Sequence, residues 1–299
     1  MTIFDGLAVP NNKSRTLNVQ FPKYIPVIAE IGINHNGSLD TAKELIQVAK
    51  EAGCDAVKFQ KRDLDTVYSQ QLLDSPRESP WGNTQRDQKQ GLEFGTDEYK
   101  EIDKFCSQLD ILWSASAWDL KSLDFIEDFN PSFHKVASAM ITHPEFLKKI
   151  ANLRRPTLVS TGMATLETID AAVAIFRAAG TPIILLHTVS TYPSPESDLN
   201  LTLINTFSER YGYPVGYSGH EPSVSPSIVA ASLGAVLIER HITLDRTMYG
   251  SDQSASLEPA GLRSLVGTLR KLPGMMGDGV KQFAPGEREV GSKLRYWEA

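Results

Sequence analysis

The 299-residue sequence predicts an α/β chain folded as a single-domain (β/α)8 (TIM) barrel spanning 1–299. Three observations carry that expectation. Eight short apolar runs punctuate the chain. Segments of helical periodicity lie between them, the rhythm of βα units on a parallel sheet. Each run also closes on polar residues, as the C-terminal mouth of a barrel requires if an active site sits there. An open doubly wound sheet is the competing arrangement of the same rhythm. Eight units in succession favour closure.

In order, the apolar runs cover residues 27–31, 56–60, 111–115, 133–137, 157–160, 183–187, 215–218 and 236–241. A helix over 41–52 places Leu45, Val48, Ala49 and Ala52 on one face. A second over 166–179 spaces Ile169, Val173 and Phe176 helically and meets Gly180, a suitable C-cap. Segments 225–233 and 258–272 follow the same pattern. The connection over 61–95 is unusually long and polar, and contains Ser79-Pro80-Trp81-Gly82-Asn83-Thr84. A structureless loop of that length is either a functional lid or a surface insertion.

Composition narrows the function classes. Lys and Arg number 30 against 36 Asp and Glu, for a net charge of −6. Without a basic run, nucleic acid is not an expected partner. A small anionic substrate remains compatible, because a local basic cluster can hold one. Cys54 and Cys106 have no metal-type spacing and read as reduced core residues of a cytoplasmic protein. Residues 1–20 are polar, so no signal peptide is expected. No apolar stretch is long enough for a bilayer, and no membrane partner is expected.

The strand ends carry the chemistry. Glu30 stands on the first, followed by Asn34, His35 and Asn36; Lys58 and Gln60 stand on the second. Ser114 and Ser116 follow on the third, Lys135 and Ser138 on the fourth. The fifth closes on Ser160-Thr161-Gly162, and the sixth on His187, Thr188 and Ser190. The seventh closes on Ser218 and His220, the eighth on Glu239 and His241, with Asp252 a little beyond. A lysine inside a strand is costly to bury without an anionic partner. Lys58 and Lys135, with the hydroxyls, therefore suggest a bound phosphate or carboxylate. Two internal salt bridges, to Glu30 and Glu239, are the plainer alternative.

A lone strand histidine is usually structural. His220 and His241 stand at adjacent strand mouths with Glu30 and Asp252 nearby, and neutral imidazoles suit manganese, iron, cobalt or zinc. Two protein ligands leave positions open for water and substrate, which fits a Lewis acid. His134, His143 and His187 read as solvated or core residues.

These residues fall into blocks that resemble the sialic acid (N-acetylneuraminate) synthase family. The blocks are Ile28-Ala29-Glu30-Ile31-Gly32-Ile33-Asn34-His35-Asn36-Gly37, Val57-Lys58-Phe59-Gln60, Lys135-Val136-Ala137-Ser138 and Ser160-Thr161-Gly162-Met163. His187 through Tyr192-Pro193, Gly216-Tyr217-Ser218-Gly219-His220 and Glu239-Arg240-His241-Ile242-Thr243-Leu244-Asp245-Arg246 complete them, in the family's order. The resemblance implies a (β/α)8 barrel. It implies condensation of phosphoenolpyruvate (PEP) with N-acetylmannosamine or a related aldose, giving a 2-keto-3-deoxy sugar acid and phosphate by C–O cleavage. It implies Mn(II) or another divalent metal on His220 and His241. Lys58, Lys135, Ser138, Ser160 and Ser218 are then expected to hold PEP, with Ser116 where the family usually has threonine. Gln60 falls near the substrates, and Glu30, Asp252 and Lys135 are the expected catalytic residues. Glu30 either handles the proton of the attacking water or positions a hydroxyl.

Two departures touch the sugar half. Family members usually continue into an antifreeze-like domain that, in a homodimer, supplies an arginine to the partner's sugar; this sequence reads as the barrel alone. Gly219 also stands where an aspartate commonly precedes the metal histidine. The loop around Trp81 and Asn83 is expected to take part of the capping role, with Asn83 against substrate. Rival readings are a Schiff-base aldolase on Lys135 or Lys58, a two-histidine metallohydrolase, and a non-enzymatic barrel that binds a sugar acid.

Overall fold

The structure, a computed structural model, describes residues 22–298. Eight parallel strands close a barrel: β1 (Val27–Gly32), β2 (Ala56–Lys61), β3 (Leu112–Ala117), β4 (His134–Val136), β5 (Thr157–Ser160), β6 (Ile183–Thr188), β7 (Val215–Gly219) and β8 (Ile238–His241). Each pairs with its chain neighbour, and β8 returns to β1 with Val27 opposite Ile238 and Glu30 opposite His241. That pairing excludes the open sheet.

A helix follows each strand and packs outside it. These are α1 (Leu39–Ala52), α2 (Thr96–Gln108), α3 (Leu120–Glu127), α4 (Pro144–Asn152), α5 (Leu166–Ala179), α6 (Leu203–Tyr211), α7 (Ser225–Ser232) and α8 (Pro259–Met276). Their limits follow local chemistry. Ser38 accepts the amide of Thr41 to start α1, and Thr165 accepts that of Thr168 to start α5. The expected stop at Gly180 is present, with φ +69°. A further helix after the barrel, α9 (Glu287–Leu294), buries none of its residues.

The core has two layers. One lies between strands and helices and includes Leu45, Phe146, Phe176 and Leu262. The other is a plug inside the barrel: Ile28, Ala56, Phe133, Leu158, Ile184, Leu186 and Leu237. Gly216 makes room for it, since a Cβ there would lie 2.7 Å from both a Leu186 methyl and the Leu237 carbonyl oxygen.

The connection between β2 and α2 is not the structureless loop expected from its polarity. It folds into helical turns at Leu64–Val67 and Gln70–Leu73, a hairpin of Pro76–Ser79 with Gly82–Thr84, and a helix at Gln85–Leu92. Its polar residues act locally: Asp63 and Ser69 cap the two turns, and Thr84 with Asp87 forms a capping box. Trp81 pins the module down. Its ring fills the space a Cβ of Gly91 would occupy, 2.1 Å away, and meets Tyr249 of the loop after β8 edge-on at 5.7 Å.

Among the described residues no helix is long and apolar enough to cross a membrane.

Candidate active site

Two residues beyond the plug, the strands change character. Ile28 is followed by Glu30, Ala56 by Lys58, Phe133 by Lys135, Leu158 by Ser160, Leu186 by Thr188 and Leu237 by Glu239. Side chains alternate along a strand, so these polar groups face inward directly above the apolar floor. They line a cavity of about 240 Å³ at the C-terminal mouth.

The lowest layer is a buried charge network. Lys58 Nζ contacts a Glu30 oxygen, donates to Ser116 Oγ at 2.9 Å and lies 3.9 Å from Glu239 Oε2. Lys135 Nζ donates to Glu239 Oε1 at 2.7 Å, and Ser218 Oγ reaches the same oxygen at 2.9 Å. Gln60 donates to Glu30 Oε1 at 3.0 Å. The salt-bridge alternative is therefore present: two lysines face two carboxylates, and their burial alone does not require a ligand. Burial acts to raise the Glu239 carboxyl, but Lys135 and Lys58 hold it at about 2. Burial also lowers the Lys135 ammonium, against the pull of Glu239.

Above this layer the hydroxyls converge with spare capacity. Thr188 Oγ1 donates to Ser160 Oγ at 3.4 Å. Gly162 is needed here, because a Cβ would lie 2.1 Å from Ser190 Oγ and 2.7 Å from Ser138 Oγ. Ser190 Oγ is buried and has no hydrogen-bond partner. A buried hydroxyl left open beside two others and two lysines fits the oxygens of a phosphate.

At the ends of β7 and β8, His220 and His241 have ring centroids 5.3 Å apart. His220 Nδ1 lies 2.6 Å from the Val189 carbonyl, which can only accept, so this nitrogen carries the proton. The Nε2 lone pair faces the Tyr192 hydroxyl at 2.9 Å. Burial lowers the His220 imidazole to about 3, which keeps it neutral. His241 Nδ1 is buried without a hydrogen bond, 3.8 Å from Asp252 Oδ2. Among the described residues no group of three His, Cys, Asp or Glu is placed to hold a metal. The donor set instead fits a cation bound by two imidazoles, with water and substrate completing its shell.

All the expected site residues line the cavity except Asp252 and Asn83. Asp252 stands behind His241, and Asn83 is exposed on the hairpin, where its amide donates to Asp87. Trp118, Met163, Thr188, Ser190 and Tyr192 line the cavity without having been named as site residues from sequence, and Glu239 had been read only as a salt-bridge partner. Position just past a strand end was the available signal for most of them. Of the other histidines, His187 and His134 are buried, and His143 caps α4 by accepting the Phe146 amide.

A closed α/β barrel with a charged, hydroxyl-lined cavity at its C-terminal mouth defines the class of barrel enzymes that handle small anionic substrates. Within that class, the chain belongs to the NeuB family, whose model matches residues 45–281. It is 38% identical over 283 residues to the N-acetylneuraminate-9-phosphate synthase of Homo sapiens, covering 94% of this chain and 78% of that protein. It is 35% identical over 269 residues to the N,N'-diacetyllegionaminic acid synthase of Campylobacter jejuni, covering 88% and 80%. Among solved structures, it resembles the sialic acid synthetase of Leptospira borgpetersenii in complex with citrate. The TM-score is 0.80 and the identity 29%, over 92% of this chain and 93% of that one.

Proposed function

We propose that the chain is a synthase that joins PEP to a sugar aldehyde and releases phosphate by C–O cleavage. The observation that carries this reading is the open hydroxyl cradle of Ser138, Ser160 and Ser190, in one cavity with Lys58, Lys135 and the His220–His241 pair. In this reading C3 of PEP forms the new bond to the aldehyde carbon. Water adds at C2, and the C2–O bond to phosphate then breaks. Lys58 and Lys135 offset the phosphate charge from ground state to transition state. Glu30 accepts from Gln60 and pairs with Lys58, and in this reading it takes the proton of the attacking water. His220 and His241 would hold Mn(II) or another divalent cation, which when bound polarises the aldehyde oxygen. Asp252 acts through His241 as a positioning residue. The folded module over 61–95 caps the aldose side, so its deletion should raise the aldose KM strongly and leave the PEP KM unchanged.

The test is phosphate release from PEP with Mn(II) and a panel of aldoses. Release should need both substrates and disappear in His220→Ala or His241→Ala. PEP carrying ¹⁸O at the bridging oxygen should deliver the label to phosphate. Label retained on carbon, or trapping of Lys135 or Lys58 by borohydride, would overturn the reading in favour of another chemistry. We also propose a homodimer, to be checked by sedimentation, and a cytoplasmic setting, in keeping with the two buried, unbonded thiols Cys54 and Cys106.

A further inference from the structure

A second buried charge pair lies on the other side of the barrel wall, in the layer between strands and helices. Glu239 and His241 line the cavity, so Arg240 between them on β8 points outward. Its Nη1 lies 3.0 Å from Glu221 Oε1, and neither side chain has any exposure. The other Glu221 oxygen accepts from the Tyr217 hydroxyl at 2.8 Å. The same guanidinium donates to the carbonyls of Glu221 and Ser223, and at 3.0 Å to Ser227 Oγ on α7. Arg246, in the loop after β8, takes the Pro222 carbonyl between them at 2.7 Å. Three successive carbonyls of the turn after His220 are thus held by two arginines from the chain around His241.

This network accounts for Gly219, which stands where an aspartate commonly precedes the metal histidine. A Cβ there would lie 2.6 and 2.7 Å from the two Glu221 carboxylate oxygens and 2.7 Å from the Tyr217 ring. Any side chain at 219 would displace the Glu221 carboxylate. The ladder between β7 and β8 ends at Gly219 and Arg240. His220 and His241 come one residue later, where no pairing between these two strands fixes one against the other. A buried ion pair is weak evidence of a stabilising role, because apolar residues of similar volume often serve as well. Position is the better guide: each charge of this pair is covalently next to one of the two histidines.

We propose that Arg240, Glu221 and Tyr217 form a positioning unit that sets the spacing of the His220 and His241 imidazoles, and with it the affinity for a divalent cation. The unit acts through the backbone and touches neither cation nor substrate. This rests on the two-histidine site proposed above.

The test measures Mn(II) binding to the full chain from the electron paramagnetic resonance signal of the free ion. Glu221→Leu combined with Arg240→Met removes both charges and leaves neither unpaired. The Mn(II) Kd should rise about tenfold. In phosphate-release assays the Mn(II) requirement should rise in step, with kcat at saturating Mn(II) and the PEP KM little changed. A merely structural role would lower the unfolding midpoint without moving the Mn(II) Kd. Tyr217→Phe keeps both charges and should raise the Kd by a smaller factor, so it keeps the test valid if the double variant folds poorly. A Kd equal to the parent's in every variant that folds overturns the inference and leaves the proposed synthase intact. No Mn(II) binding by the parent overturns it together with the metal half of that reading.

Discussion

Glu239 holds the buried charge layer together. It accepts from Lys135 and Ser218 and lies near Lys58, so its removal leaves two ammonium groups facing one carboxylate. An uncompensated buried charge costs about 3–5 kcal/mol. Glu239→Gln should lower stability by that order in urea unfolding without ligand, and PEP should recover more stability in this variant than in the parent. An equal response to PEP in both would mean the cradle does not use these lysines. At this scale the sequence was informative wherever a charged or hydroxyl residue ended an apolar run, as at Lys58, Lys135 and Ser160. Trp118 offered only its place just past a strand, and its stacking under Arg62 exists only once the barrel folds. The placement of Asp252 behind His241 was equally hidden, since it depends on the path of an irregular loop.

At the scale of elements, the module over 61–95 is the part that polarity disguised. Its helices span four to eight residues and bury little beyond Leu73 and Leu92, so no apolar stripe announces them. The caps at Asp63, Ser69 and Thr84 were present in the sequence but had no periodic run to attach to. The eight barrel strands were visible because buried parallel strands are nearly continuous apolar runs. The module is held by one ring between two glycines: Gly91 meets Trp81 directly, and Gly37 approaches the Gly91 carbonyl so closely that its Cβ would lie 2.0 Å away. Gly91→Ala should therefore expel Trp81, as Trp81→Ala removes it. A loss of about 1.4 kcal/mol in local stability raises the open population tenfold. Both variants should be cut within 61–95 at least tenfold faster in limited proteolysis, with global unfolding little changed.

For the molecule as a whole, acid sensitivity should arise where α1 meets the barrel. His35 is buried, stacks on Phe94 at 4.1 Å, and accepts the Gly37 amide on Nδ1. Burial lowers its imidazole from 6.5 to about 3. Between those values the unfolded chain binds a proton that the folded chain refuses. Stability from this group is therefore complete above pH 6.5 and drains away as pH falls toward 3. Urea unfolding between pH 7.5 and 4 should show the loss, and His35→Gln should flatten the slope.

Six of the eight strands combine an apolar plug residue with, two positions on, a polar site residue. A strand that paired one residue out of register during folding would send its lysine, glutamate or serine outward into the helix layer. Each such error would strand a charge or hydroxyl in apolar surroundings, at a cost of several kcal/mol for a charge. The active site thus doubles as a proofreading device for assembly. The residues that make the cavity reactive also penalise the misaligned barrels most heavily, and so widen the energy gap beneath the native state.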